Sequence, residues 1–166
     1  MSRPLLIVMG MVLGTMLPLS AQQPTVRVEP PSIAGPRVLN DQTKAAVIRD
    51  YLEAWQSMRA ALLQNRPDPL DQDFVGTAKD KLLDTIQDQV TMGISTRYLD
   101  RSHDLQIVFY SPEGLSVQLV DNVSYDVQLV DHGKIQATQT EHARYVVVMT
   151  PAELRWRVRI FQGQPE

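Results

Sequence analysis

The chain has no cysteine among its 166 residues. Thiol nucleophiles, zinc–thiolate sites, redox pairs and disulfide staples are therefore excluded, and so is a lipid anchor on a cysteine after a leader. An excess of basic charge is also missing: 16 Lys and Arg stand against 19 Asp and Glu, for a net charge of −3. A phosphate-binding surface would lack its electrostatic driving force, so nucleic acid is not an expected partner. No G-x-S-x-G elbow and no Ser-x-x-Lys motif occurs, and Ser111 before Pro112 reads as a turn residue rather than a nucleophile. Of the three histidines, His103, His132 and His142, no two have the spacing of ligands on one helix, so neither a metal nor another cofactor is expected.

Only one long apolar run is present. Arg3 precedes it, Leu5 to Leu19 form it with breaks at Gly10, Gly14, Thr15 and Pro18, and Leu19-Ser20-Ala21 supplies small residues for cleavage. A membrane span needs ~20 apolar residues, so a run this short ending near a proline reads as a secretory signal over residues 1–21. Cleavage there removes only Arg3, leaving 16 − 1 = 15 basic residues against 19 acidic ones and a net charge of −4. The expected location is the periplasm or the exterior. Without disulfides the exported domain must depend on a packed core.

Residues 22–39 carry Pro24, Pro30, Pro31 and Pro36 and little apolar periodicity, and read as a disordered lead-in to a single domain over 40–166. Asn40 or Asp41 can cap a helix in which Ile48, Tyr51, Trp55, Met58 and Leu62 recur at steps of three and four, ending before Pro67. Trp55 lies inside that stripe and is a core anchor. A short segment follows from Leu70 to Val75, and Thr77 with Asp80 opens another helix through Leu82, Ile86 and Val90 to a stop at Gly93. The remainder is rich in Val, Ile, Tyr and Thr and is divided by turn signals at Ser111–Gly114, Asp131–Gly133 and Thr150-Pro151. Four strands, roughly 103–110, 115–130, 134–149 and 153–162, are expected as an antiparallel meander. The fold class is α+β, with N-terminal helices packed on a curved sheet.

Side chains opposite each other across an antiparallel pair share a face, so parity passes from strand to strand. A tight Pro151-Ala152 turn would pair Met149 with Leu154, Val147 with Trp156 and Tyr145 with Val158. A three-residue Asp131–Gly133 loop would then put the odd residues of the second and third strands on the core face. Asp121, Tyr125, Gln139, Glu141 and Tyr145 fall on that face as pocket candidates, with Asp121 or Glu141 as a general base or ligand anchor. The parity of the first hairpin is left open. On the outer face the same register collects Arg144, Arg155, Arg157 and Arg159, with Arg144 opposite Arg159, and makes them candidates for a partner or dimer contact.

The order of a long helix, shorter helices and a meander of long strands, closed by Arg144-Tyr145-Val146-Val147-Val148-Met149-Thr150-Pro151-Ala152-Glu153-Leu154-Arg155-Trp156-Arg157-Val158, resembles the nuclear-transport-factor-2-like superfamily with its SnoaL-like members. The resemblance covers about residues 40–162. It implies a cone-shaped fold and leaves activity open, because the superfamily includes isomerases, dehydratases, hydrolases and non-catalytic domains. The expected function is a non-catalytic binding or accessory module for a small apolar ligand or a protein partner. The alternatives are an isomerase- or dehydratase-type enzyme with a pocket carboxylate, and a homodimer formed through the arginine face.

Overall fold

The structure is a computed structural model that describes residues 23–33 and 37–165, so the proposed signal at 1–21 lies outside the described residues. Among the described residues the chain order is β1 (Thr25–Val28), α1 (Asp41–Gln64), a 3-10 turn (Asp68–Leu70), α2 (Gly76–Met92), β2 (Ile94–Tyr110), β3 (Val117–Asp131), β4 (Lys134–Pro151) and β5 (Trp156–Pro165). The strands form one sheet in sequence order, β1 parallel to β2 and the rest antiparallel.

α1 begins where expected. The Asn40 side chain accepts a hydrogen bond from the Thr43 amide at 2.7 Å, satisfying one of the orphan donors of the first turn. Val47, Tyr51, Ala54, Trp55, Met58, Ala61 and Leu62 are buried along one stripe, which presses on the sheet. Asn65 ends the helix in the left-handed conformation and donates its side-chain amide to the Ile94 carbonyl at 2.6 Å. α2 ends at Gly93, at φ +70°, and buries Ala78, Leu82 and Ile86. Val90, expected on that stripe, is 52% exposed. Its place is taken by Gln89, whose amide donates to the Leu62 carbonyl and to Asn65.

Two expectations about the chain ends of the sheet are corrected. The lead-in is not wholly disordered: Thr25–Val28 pairs with Ser102–Leu105, making five strands rather than four. The segment then follows β2 through amide bonds from Glu29 to the Leu105 carbonyl and from Ser32 to that of Ile107. A four-residue edge strand between prolines has too little pattern to be seen by periodicity. β2 starts at Ile94, not 103, and its first residues have no strand on their outer side among the described residues. That edge is closed by side chains from α1: Asn65 on the Ile94 carbonyl and Arg59 on the Tyr98 carbonyl.

Bulges set which side chains face α1. The odd residues of β3 and β4 do face inward, Asp121 opposite Tyr145 and Tyr125 opposite Glu141. The connection, however, is a two-residue turn at His132-Gly133, at φ +46° and +76°, and an irregularity beside Leu129 restores the parity. In β2, irregularities at Arg101 and Val108 turn Asp100, His103, Leu105, Ile107 and Tyr110 inward and leave Phe109 40% exposed. This resolves the first hairpin, with Tyr110 opposite Val117.

The last hairpin differs from the expected register. Trp156 pairs with Pro151, and the Ala152 amide bonds to the Arg155 carbonyl, so the turn occupies 152–155 and Leu154 projects into solvent at 92% exposure. Met149 faces Val158, Val147 faces Phe161 and Tyr145 faces Gly163. Two distant anchors hold this register: the Trp156 amide donates to buried Asp50 at 2.7 Å, and Arg155 pairs with buried Asp73. Gly163 leaves room for the Tyr145 ring, since a Cβ there would lie 2.8 Å from Tyr145 Cε1. That ring is stacked on Phe161 and edge-on to Trp55, so it has no room to give. Gly163→Ala is expected to lower stability by about 1–3 kcal/mol, the usual cost of overpacking, read as a drop in thermal midpoint by circular dichroism.

Candidate functional site

Three residues of α1, Tyr51, Trp55 and Arg59, are spaced by four and project from one face of the helix. They meet Asp100 and His103 from β2 and Asp121 from β3. Residues three apart on a regular strand point to opposite faces, and the bulge at Arg101 is what brings Asp100 and His103 to the same side. Asp121 Oδ2 accepts from the Tyr51 hydroxyl at 2.7 Å and lies 2.7 Å from His103 Nδ1. On the other side of the imidazole, Nε2 is 3.9 Å from Asp100 Oδ2, which accepts from Arg59 Nη1 at 2.6 Å. The order is therefore Tyr51, Asp121, His103, Asp100, Arg59, with two carboxylates facing one imidazole and one guanidinium.

Tyr51, His103 and Asp121 are at most 1% exposed. Burial opposes charge on His103, but hydrogen bonding and attraction to Asp100 and Asp121 outweigh it and raise its pKa to about 9. Burial likewise opposes charge on Asp100, yet His103, Trp55 and Arg59 beside it hold its carboxyl below the usual range. Burial and the adjacent Asp121 push the Tyr51 hydroxyl well above its ordinary value. His103 thus favours the imidazolium at neutral pH, with the Asp100 carboxyl held ionised beside it. Trp55 stands edge-on to His103 at 5.0 Å between ring centres and also contacts Tyr125, Tyr145 and Phe161, filling the space beneath the sheet.

The pocket candidates are dispersed along the inner face. Asp121 is the buried centre of the network. Tyr125 and Tyr145 form the next aromatic layer, their hydroxyls 3.4 Å apart. Glu141 is half-buried at the edge of that layer, near enough to Tyr98 and Tyr125 to add to the effect of burial in raising both hydroxyls, that of Tyr98 to about 12. Gln139 is exposed. Among the described residues Trp55 packs against both Tyr125 and Tyr145 and takes up space between these five.

The arginine face is corrected. Arg144 is exposed opposite Gln164, not Arg159. Arg155 sits in the turn on Asp73, Arg157 donates to the carbonyls of Asp71 and Phe74, and Arg159 occupies the β5 bulge. The histidines also separate: His103 is interior, His132 is at a turn, and His142 is exposed on the outer face. Sequence reasoning missed Tyr51 and His103 as partners of Asp121, and Asp100 and Arg59 beyond them. The spacing of four from Tyr51 to Arg59 was a visible signal, whereas a bulge erases the parity signal for Asp100 with His103.

No family model matches the chain, and no curated protein matches it. Among solved structures it is similar to the intermembrane space region of the chloroplast protein ARC6, with 14% identity, a TM-score of 0.62, and coverage of 79% of this chain and 100% of that one. A putative calcium/calmodulin dependent protein kinase II association domain from Xanthomonas campestris also matches, with 14% identity, a TM-score of 0.44, and coverage of 81% of this chain and 94% of that one. At 14% identity the likeness to the first is one of fold alone, an α+β arrangement. None of the described helices is long and apolar enough to cross a membrane.

Two outcomes test the network. Because the folded pKa of His103 lies above the ordinary 6.5, its stabilisation is fully present below about pH 6.5 and is lost as pH rises through about 9. Urea unfolding of the parent should weaken across that window while His103→Asn shows a flatter profile; equal profiles would contradict a buried imidazolium. Asp121→Asn, which leaves the imidazolium short of a charged acceptor, should cost about 3–5 kcal/mol in the same assay.

Proposed function

We propose that the chain is an exported, non-catalytic accessory module that works by protein contact through the outer face of its sheet, and that its partner there is a second copy of itself. The observation that carries this reading is the character of that face. Its upper half carries the cross-strand rows Phe109, Gln118, Val148, Ile160 and Gln106, Val120, Val146, Gln162, of which Val120 is buried. Phe109 is 40% and Ile160 41% exposed, and neither row contains a charged side chain. Two copies of the mature chain, with 15 basic and 19 acidic residues and a net charge of −4 each, repel each other, so an uncharged apolar face is the surface on which they can meet.

Four strands at ~4.8 Å spacing and about four residues at ~3.4 Å give the two rows a footprint of about 260 Å² per copy, or about 520 Å² in a symmetric pair, so a stable interface also covers the rows below them. Charges below the apolar rows are largely paired, Arg101 with Asp126 and Arg27 with Asp104. Export rests on residues 1–21, and the SnoaL-like affinity on the closing stretch 144–158. A small apolar ligand inside the cone has less support, because Trp55, Tyr145 and Phe161 fill that space.

The alternative, an isomerase- or dehydratase-type enzyme, is favoured by one observation: Asp121 and His103 form an acid–base pair in the interior. Neither has the exposure a substrate needs. Sedimentation velocity of the mature chain over a concentration series discriminates. A monomer–dimer equilibrium in the micromolar range is expected, abolished by Val148→Glu or Ile160→Glu without loss of the circular dichroism spectrum. A monomer at every concentration, or a dimer that survives both substitutions, would defeat the reading.

A further inference from the structure

A groove of about 300 Å³ runs between the C-terminal half of α1 and the start of β2, away from the apolar rows of the outer face. Its polar lining comes from Gln56, Arg59, Gln64 and Arg97, and its apolar lining includes Leu63 and Leu99, which are 37% and 40% exposed. Among the described residues no acidic side chain lines it. In a chain with more acidic than basic residues, such a donor-rich recess is a local reversal of charge.

The arginines differ in how they are held. Arg59 donates through Nε to the Tyr98 carbonyl and through Nη1 to Gln56 and Asp100, which locks the guanidinium in place. Its Nη2 makes no hydrogen bond among the described residues, so a fixed donor remains. Asp100, behind Arg59 and with its side chain only 1% exposed, neutralises much of that charge. Arg97 has no ion pair among the described residues and supplies the uncompensated positive charge. An oriented donor and a free cation beside two exposed leucines complement a ligand with one anionic end and a short apolar body.

We infer that this groove binds an amphiphilic monocarboxylate, its head between Arg59 and Arg97 and its chain on Leu63 and Leu99. The site is independent of self-association, since its residues do not belong to the apolar rows. Affinity is expected to be modest, because the groove is at the small end of ligand sites and open along one side.

The test is a nitrogen–proton correlation titration of the full mature chain with octanoate, alongside octyl glucoside, which keeps the chain without the charge, and acetate, which keeps the charge without the chain. Saturable shifts at the amides of Leu63, Arg97 and Leu99 are expected with octanoate, with acetate and octyl glucoside at least tenfold weaker. Arg97→Ala, which removes no hydrogen bond of the fold, should weaken octanoate about tenfold, the loss of one charge-assisted contact. Octyl glucoside binding as well as octanoate, unchanged affinity in Arg97→Ala, or no saturable shift would each overturn the assignment.

Discussion

Two buried carboxylates constrain the whole molecule. Asp100 and Asp121 lie under the helices with almost no exposure of their side chains, and a carboxylate in that environment is tolerable only beside positive charge and hydrogen-bond donors. His103 between them supplies one cation, Arg59 the second, and Tyr51 a hydroxyl. Because Tyr51 and Arg59 are two helical turns apart, bringing a donor to Oδ2 of each carboxylate determines the position of α1 along the sheet and its rotation about its own axis, while Asp100 Oδ1 and Asp121 Oδ1 have no hydrogen-bond partner among the described residues. Apolar packing of Trp55 and Met58 alone would leave that rotation softer, since hydrophobic contact has little directional preference.

The same device recurs on another face of α1. Asp50 accepts from the Trp156 amide, and Asp73 accepts from Ser57 and Arg155. These bonds tie the turn before β5 to the helix and choose its register against the tighter turn that Pro151-Ala152 suggests. Two faces of the same stretch of α1, from Asp50 to Arg59, are thus attached to different strands through buried acids, with Trp55 between them. Burial in this fold goes to aromatic rings and paired charges together.

That arrangement explains what could be read from the sequence. The α1 stripe, its cap at Asn40, the stop at Gly93 and the inward parity of Asp121, Tyr125 and Tyr145 follow from local rules and were legible. The network around Asp121 was not, because His103 and Asp100 share a face only through a bulge at Arg101 that no local residue signals. Likewise β1 owes its pairing to the free edge of β2 rather than to its own four residues. The β5 register depended on Asp50 and Asp73, more than eighty residues away in the case of Arg155 with Asp73. Phe161 accordingly lies inside with Trp55, and Ile160 lies outside.

Sorting charge this way also bears on where the molecule can act. Acids that face inward are used on the helix–sheet joint and on the β5 turn, and two of the four arginines expected on the outer face are drawn off it. Arg155 goes to Asp73, and Arg157 to the carbonyls of the segment before α2. The upper outer face is left to valine, isoleucine, phenylalanine and glutamine. A substrate site at Asp121 and a stable α1–sheet joint at Asp121 would compete for the same carboxylate, because admitting a ligand means displacing Tyr51, His103 or Trp55 from contacts that hold the helix in place. With that carboxylate committed to the joint, binding is better sought on the uncharged sheet face and in the groove beside the C-terminal half of α1.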